Sequence, residues 1–197
     1  MPKIVECVPN FSTSNKNIIK TIVTSIRKIK DVKLLDFSAD PDHNRLVVTF
    51  IGNPRSVVEA AFSSAATAVS LINLKYHKGV HPRIGAVDVI PFIPLRKVTM
   101  RDCIRLAHKL GEEIAEKLYV PVFMYGKAAK LIERVHLSHI RRGGFELLEE
   151  RIKHFHPDYR ERVPHKTAGA VAIGARDFLI AFNINLKTKN LDSAKNI

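Results

Sequence analysis

The order of apolar patterns along this 197-residue chain predicts an α+β fold. Short runs of β-branched residues alternate with longer stretches whose apolar residues fall three and four apart, and over the first half they come in the order β-α-β-β-α-β. Turn chemistry punctuates each change of period, at Pro9-Asn10, Asp40-Pro41-Asp42 and Gly52-Asn53-Pro54. This is the split βαβ, ferredoxin-like pattern, a sheet with its helices packed on one face.

Residues 3–8 form the first apolar strand, and Pro9-Asn10-Phe11-Ser12 turns the chain. In residues 17–30, Ile18, Ile19, Ile22, Val23, Ile26 and Ile29 share one side, as an amphipathic helix requires. Residues 32–37 alternate poorly but are apolar enough for a buried strand. Residues 45–51 are β-branched, so the two read as a hairpin. Asn53 suits an N-cap with Pro54 at the first helical position, opening a helix to about residue 74. A strand over 86–93 follows. Thr99 and Asp102 have the spacing of a capping box for a helix over 100–118. Further on, the pattern predicts a strand over 121–125, a short helix opening at Gly126-Lys127, another over 145–152, a loop over 154–166 and a strand over 168–173. The tail predicts a strand over 178–186 and the start of a helix over 191–197.

With 32 Lys and Arg against 19 Asp and Glu, the net charge is +13, which favours anionic partners. The basic residues are dispersed, Trp is absent and no aromatic stripe accompanies them, which argues against a nucleic-acid platform. Arg27, Lys28 and Lys30, and likewise Arg141-Arg142, read as cations at helix C-termini. No run of about 18 apolar residues occurs, which excludes a membrane-spanning helix. The N-terminus reads directly as a strand, without a signal peptide. Cys7 and Cys103 are too few for a disulfide framework and have no metal-ligand spacing, so the expectation is a reduced, cytoplasmic protein without a metal. The pairs His136/His139 and His154/His156 lack the carboxylate or thiol that would complete a metal site.

Four places gather polar groups: Asn10-Phe11-Ser12, residues 40–45, residues 77–83 and residues 160–169. The first three flank core strands and are expected at one side of the sheet. The stretch Tyr76-His77-Lys78-Gly79-Val80-His81-Pro82-Arg83-Ile84-Gly85-Ala86 joins a helix to a strand and is held at both ends. Pro82 restricts His81, so an imidazole fixed beside cations could serve as a general base. The plainer reading of the same loop is a polar turn with a solvated His and an anion-binding Arg.

Read together, Glu6-Cys7-Val8-Pro9-Asn10-Phe11-Ser12, Asp42-His43-Asn44-Arg45, His81-Pro82-Arg83-Ile84-Gly85-Ala86 with Asp88, Val122-Phe123-Met124-Tyr125-Gly126, and Gly174-Ala175-Arg176 through Asn183-Ile184-Asn185-Leu186 resemble the glutamate formiminotransferase family. They occur in the family's order and cover nearly the whole chain. The resemblance implies transfer of a formimidoyl group from N-formimidoyl-L-glutamate to N5 of tetrahydrofolate, the co-substrate, in histidine breakdown. It implies His81 as the catalytic acid/base and a folate-contacting stretch at Arg160-Glu161-Arg162-Val163-Pro164-His165-Lys166-Thr167-Ala168-Gly169. Asn10, Arg45 and Arg83 are candidates to hold substrate, the arginines through bidentate carboxylate pairing. For each Arg the alternative is an internal salt bridge, with Asp36, Asp42 or Asp88 as partner.

Departures from the family pattern are Thr13-Ser14 after Phe11-Ser12, and Arg160-Glu161 after the aromatic that follows Asp158. The resemblance divides the chain into an N-terminal subdomain over 1–175 and the start of a truncated second one over 176–197. A homodimer, or a separate chain, would then supply the missing wall. The same resemblance also admits a non-catalytic folate-binding or protein-interaction module.

Overall fold

A computed structural model describes residues 2–160, 162–180, 186–188, 190 and 192. The first strand is broken in two, β1 (Ile4–Cys7) and β2 (Asn10–Phe11), and both pieces pair antiparallel with the same two neighbours. The break holds Pro9, and opposite it stands Pro91, whose carbonyl accepts from Val8 N–H at 3.3 Å. Two prolines, neither with an N–H to offer, thus sit where the ladder is interrupted.

Helix α1 (Lys16–Arg27) is capped by Asn15, whose side chain accepts from the amides of Asn17 and Ile18. Strands β3 (Val32–Asp40) and β4 (Arg45–Gly52) form the expected hairpin, but β3 is largely exposed rather than buried because it lies at the sheet edge, paired with β4 alone among the described residues. A register shift between Leu34 and Asp36 explains why this strand's sequence alternates poorly. Helix α2 (Pro54–Leu71) begins as predicted, with Asn53 accepting from Ser56 N–H at 3.0 Å. Strand β5 (Val87–Arg96) is followed by α3 (Met100–Leu118), where Thr99 and Asp102 close the capping box.

Among the described residues the strands form one mixed sheet in the order β3-β4-β1/β2-β5-β7-β6, where β6 is Val122–Gly126 and β7 is Val171–Ala175. The β3-to-β5 half is antiparallel, while β5, β7 and β6 run parallel. The class is α+β.

Helices cover both faces, which corrects the expectation of one. Along β6, Val122 and Met124 join the large core beneath α1, α2 and α3, while Phe123 and Tyr125 face a second core. That second core is closed by α4 (Leu137–Arg141) through Ile140 and by α5 (Leu148–Arg151) through Leu148.

The short elements depart most from the sequence pattern. Gly126-Lys127 opens a turn, and the first helical residues beyond it are the 3-10 turn Ile132–Arg134. The strand predicted over 168–173 begins three residues later, at β7, because residues 165–169 are committed to a tight turn closed by His165 and Gly169. Of the predicted tail strand, residues 178–180 are neither strand nor helix, and 181–185 lie outside the described residues. So does most of the predicted helix over 191–197. Among the described residues no helix is long and apolar enough to cross a membrane.

Candidate active site

One end of the sheet gathers the residues after β2, the β3–β4 turn and the loop entering β5. Asn44 ties them together. Its Oδ1 accepts from the Ser14 amide at 2.7 Å and the Ser14 hydroxyl at 2.9 Å, while its Nδ2 donates to the Lys78 carbonyl at 2.9 Å. The Ser12 hydroxyl donates to the Gly85 carbonyl at 2.7 Å. The first three polar clusters therefore meet as expected from their order. Ser14, one of the departures from the family pattern, is part of this tie.

His81 is 7% exposed and faces Asp88, which is 1% exposed, at 3.5 Å between Nε2 and Oδ2. The contact is an ion-pair distance and is poorly aligned, so Nε2 has no hydrogen-bond partner among the described residues. Among the described residues Nδ1 makes no hydrogen bond either, and unlike Nε2 it is not among the enclosed unpaired atoms, which makes it the nitrogen a ligand can reach.

Asp88 is fixed by three donors. Ile84 N–H reaches Oδ1 at 2.9 Å, and Arg141 reaches Oδ2 through Nε at 2.8 Å and a terminal nitrogen at 2.5 Å. Burial alone would push its carboxyl up. The His81 ring, the Arg141 guanidinium and the Ile84 amide outweigh it and hold Asp88 below the usual carboxylate range. The charge facing His81 is thus an anion, where the sequence suggested a cation. Arg141, read as a helix-terminal cation, is the last residue of the short helix α4 and is also the counterion of Asp88. The 53-residue separation left no local signal of that pairing.

Arg83 takes the internal salt bridge, with a partner that the sequence did not suggest. Its terminal nitrogens hold Glu146 at 3.0 and 2.7 Å, and its Nε donates to His77 Nδ1 at 3.0 Å. In this structure the guanidinium is engaged by Glu146 and His77. Accepting on Nδ1 makes His77 the Nε2–H tautomer, which donates to the Asn44 carbonyl at 3.0 Å. Burial, with Arg83 beside it, pushes the His77 imidazole down and keeps it neutral.

Arg45 differs. Its Nε is buried without a partner among the described residues, although it stands in register with Asp40. Asn10 lies in β2, opposite Val47 and Val89, and its amide donates to the Val8 carbonyl at 3.2 Å.

The proposed folate stretch divides. Val163, Pro164, His165 and Lys166 line a cavity of about 490 Å³, with Leu74, His77, Phe145, Glu146 and Glu149 across from them. His165 Nδ1 accepts from Ala168 N–H at 3.0 Å, and burial pushes its imidazole down. Gly169 bridges Gly85, where side chains would collide with Ile84 and Ala170 carbonyls, at 2.1 and 1.9 Å respectively. Thr167 accepts from Leu74 N–H at 2.8 Å. Arg160, by contrast, stacks over Tyr119 at 4.5 Å and borders a separate cavity with Glu112 and Glu116. Arg162 is exposed, and Glu161 lies outside the described residues. Among the described residues no group of three or more His, Cys, Asp or Glu is placed to hold a metal ion.

Compared with known proteins, residues 4–176 match the formiminotransferase domain, N-terminal subdomain. A glutamate formimidoyltransferase from Streptococcus pyogenes is 42% identical over 200 residues, covering 100% of this chain and 67% of the relative. One from Thermoplasma acidophilum is 45% identical, covering 98% of this chain and 65% of the relative. A formimidoyltransferase-cyclodeaminase from Rattus norvegicus is 48% identical over 189 residues, covering 94% of this chain and 35% of the relative. The chain thus spans about two thirds of the length of the first two and about one third of the last.

Proposed function

This chain belongs to the formiminotransferase family, as its N-terminal subdomain, and on that premise we propose that it takes part in transferring a formimidoyl group from N-formimidoyl-L-glutamate to N5 of tetrahydrofolate, yielding 5-formimidoyltetrahydrofolate and L-glutamate in histidine breakdown. The observation that carries the reading is His81, enclosed against a buried and anchored carboxylate with Nδ1 left open. For N5 to attack the amidine carbon, its proton must leave. An imidazole whose far nitrogen faces an anion is placed to accept that proton and to be stabilised as the cation.

The unpaired Arg45 Nε supports a role in holding a substrate carboxylate. The cavity of about 490 Å³ bordered by Val163 to Lys166 falls in the usual range for small-molecule pockets, roughly 300–1,000 Å³, which is compatible with a folate. The net charge of +13 suits two polyanionic substrates. The strand order β3-β4-β1/β2-β5 supports the ferredoxin-like reading of the first half. Free, buried Cys7 and Cys103 support a reducing, cytoplasmic setting. The reading takes 1–175 as one subdomain and 176–197 as the opening of another, with a second copy or a separate chain closing the folate site.

His81→Ala tests it. Transfer should fall by about 10²- to 10⁴-fold, the usual share of an acid/base group, with the thermal midpoint retained. An unchanged rate would count against the assignment. Calorimetric titration of the wild-type chain with tetrahydrofolate separates the parts. Binding without turnover would retain folate recognition and remove catalysis.

A further inference from the structure

A second imidazole faces the first. The His43 ring centre lies 6.4 Å from that of His81, at an interplanar angle of 56°. His43 Nδ1 is held by Asp40 Oδ2 at 2.7 Å, and the same Asp accepts from the His43 backbone amide at 3.0 Å. This leaves Nε2 of His43 without a hydrogen bond among the described residues. Two imidazole–carboxylate pairs, His81–Asp88 and His43–Asp40, thus stand across one gap, the first enclosed and the second 40% exposed at its ring.

The approach of the two histidines is built into the backbone. Val80 N–H donates to the Asp42 carbonyl at 3.2 Å, and Asn44 and Lys78 are tied as described. Gly79 passes so close that a side chain there would come within 2.6 Å of the His43 carbonyl. The loop carrying His81 therefore lies on the turn carrying His43, and glycine is what allows it.

Resting on the proposed transferase reading, we propose that His43 is a second catalytic residue, the acid that protonates the departing glutamate nitrogen. In the step, N5 forms a bond to the amidine carbon and its proton passes to His81. His43 then gives a proton to the glutamate nitrogen as the bond from that nitrogen to carbon breaks. The formimidoyl group stays on N5, and glutamate leaves as the amine. His81 gives its proton to solvent and His43 regains one, so the cycle closes without another reactant. A single imidazole would have to turn from one nitrogen to the other, and His81 is too enclosed to re-aim. Two nitrogens on one tetrahedral carbon stand about 2.4 Å apart. Hydrogen bonds of roughly 2.8 Å on either side put donor and acceptor at most about 8 Å apart, a span that the facing rings bracket.

The test compares two formimidoyl donors on the full chain, wild type and His43→Gln. With N-formimidoyl-L-glutamate the variant should lose about 10²- to 10⁴-fold. With an N-formimidoyl aminobenzoate, whose weakly basic nitrogen leaves without prior protonation, the loss should shrink to less than about tenfold. His81→Gln should lose rate equally with both donors. Asp40→Asn, which keeps the ring but weakens its anchor, should show the same donor dependence in milder form. Equal losses with both donors in His43→Gln, or none, would overturn the role while leaving the transferase reading intact. A wild-type chain that binds tetrahydrofolate but turns over neither donor would remove both.

Discussion

Asp88 is a carboxylate with 1% exposure whose charge is matched by Arg141 and the Ile84 amide, with His81 beside it. Replacing it with Asn leaves the Arg141 guanidinium without its counterion. Breaking a buried pair in this way costs roughly 3–5 kcal/mol, and partial exposure of Arg141 places this one at the lower end. Urea unfolding of Asp88→Asn at neutral pH measures it. The pH dependence has a definite sign. Because the folded-state value lies below the ordinary 3.8, Asp88's contribution is complete above that value. It is lost as pH falls through the depressed folded value, so Asp88→Asn should flatten that part of the acid-unfolding curve. The sequence offered Asp88 as part of the motif around His81 and as a salt-bridge partner for Arg45 or Arg83. The true partner is on α4, and no local spacing relates them.

At the scale of elements, the loop between α2 and β5 is a clasp whose lock is neutral His77. It accepts from Arg83 and donates to Asn44, and the folded protein holds its imidazole below the ordinary value of 6.5. Stability from this group is present above pH of about 6.5 and is lost as pH falls through the lower folded-state value. Protonation removes the acceptor for Arg83 Nε and sets two cations together. Protection factors of the amides in residues 77–86, which remove the intrinsic pH dependence of exchange, should therefore fall between neutral and mildly acidic pH, and His77→Gln should show less of that pH response. The long helices were legible because their caps are local chemistry, as at Asn53 and at Thr99 with Asp102. Of the short helices, α5 falls inside the helix read over 145–152, whereas no span is read for α4; neither has a side-chain cap and both are held by packing onto the second core.

Across the whole molecule, the site is joined to both cores. β5 carries Asp88 between them, and α4 reaches it from the second core, where Ile140 is 1% exposed beside Arg141. Ile140→Ala should cost about 2–5 kcal/mol by leaving a cavity. It should also slow transfer, because the helix that presents Arg141 loses its anchor. Paired measurements of unfolding free energy and of rate, at a temperature where the variant remains folded, check this. A rate unchanged in folded Ile140→Ala would show that Arg141 is positioned without help from the second core.

The sequence alone determined the α+β class, the β-α-β-β-α-β order of the first half, the caps of α2 and α3, and the family motifs that point to His81. Those depend on the periods of helix and strand and on short-range hydrogen bonds, so they are written into neighbouring residues. Only the tertiary structure decided which charges meet. Asp88 with Arg141, Arg83 with Glu146, and His43 beside His81 are contacts between residues 38 to 63 positions apart. They form because packing on two faces of one sheet brings distant groups together, and at Asp88 the surroundings are low-dielectric, where an unpaired charge is costly and a paired one is retained.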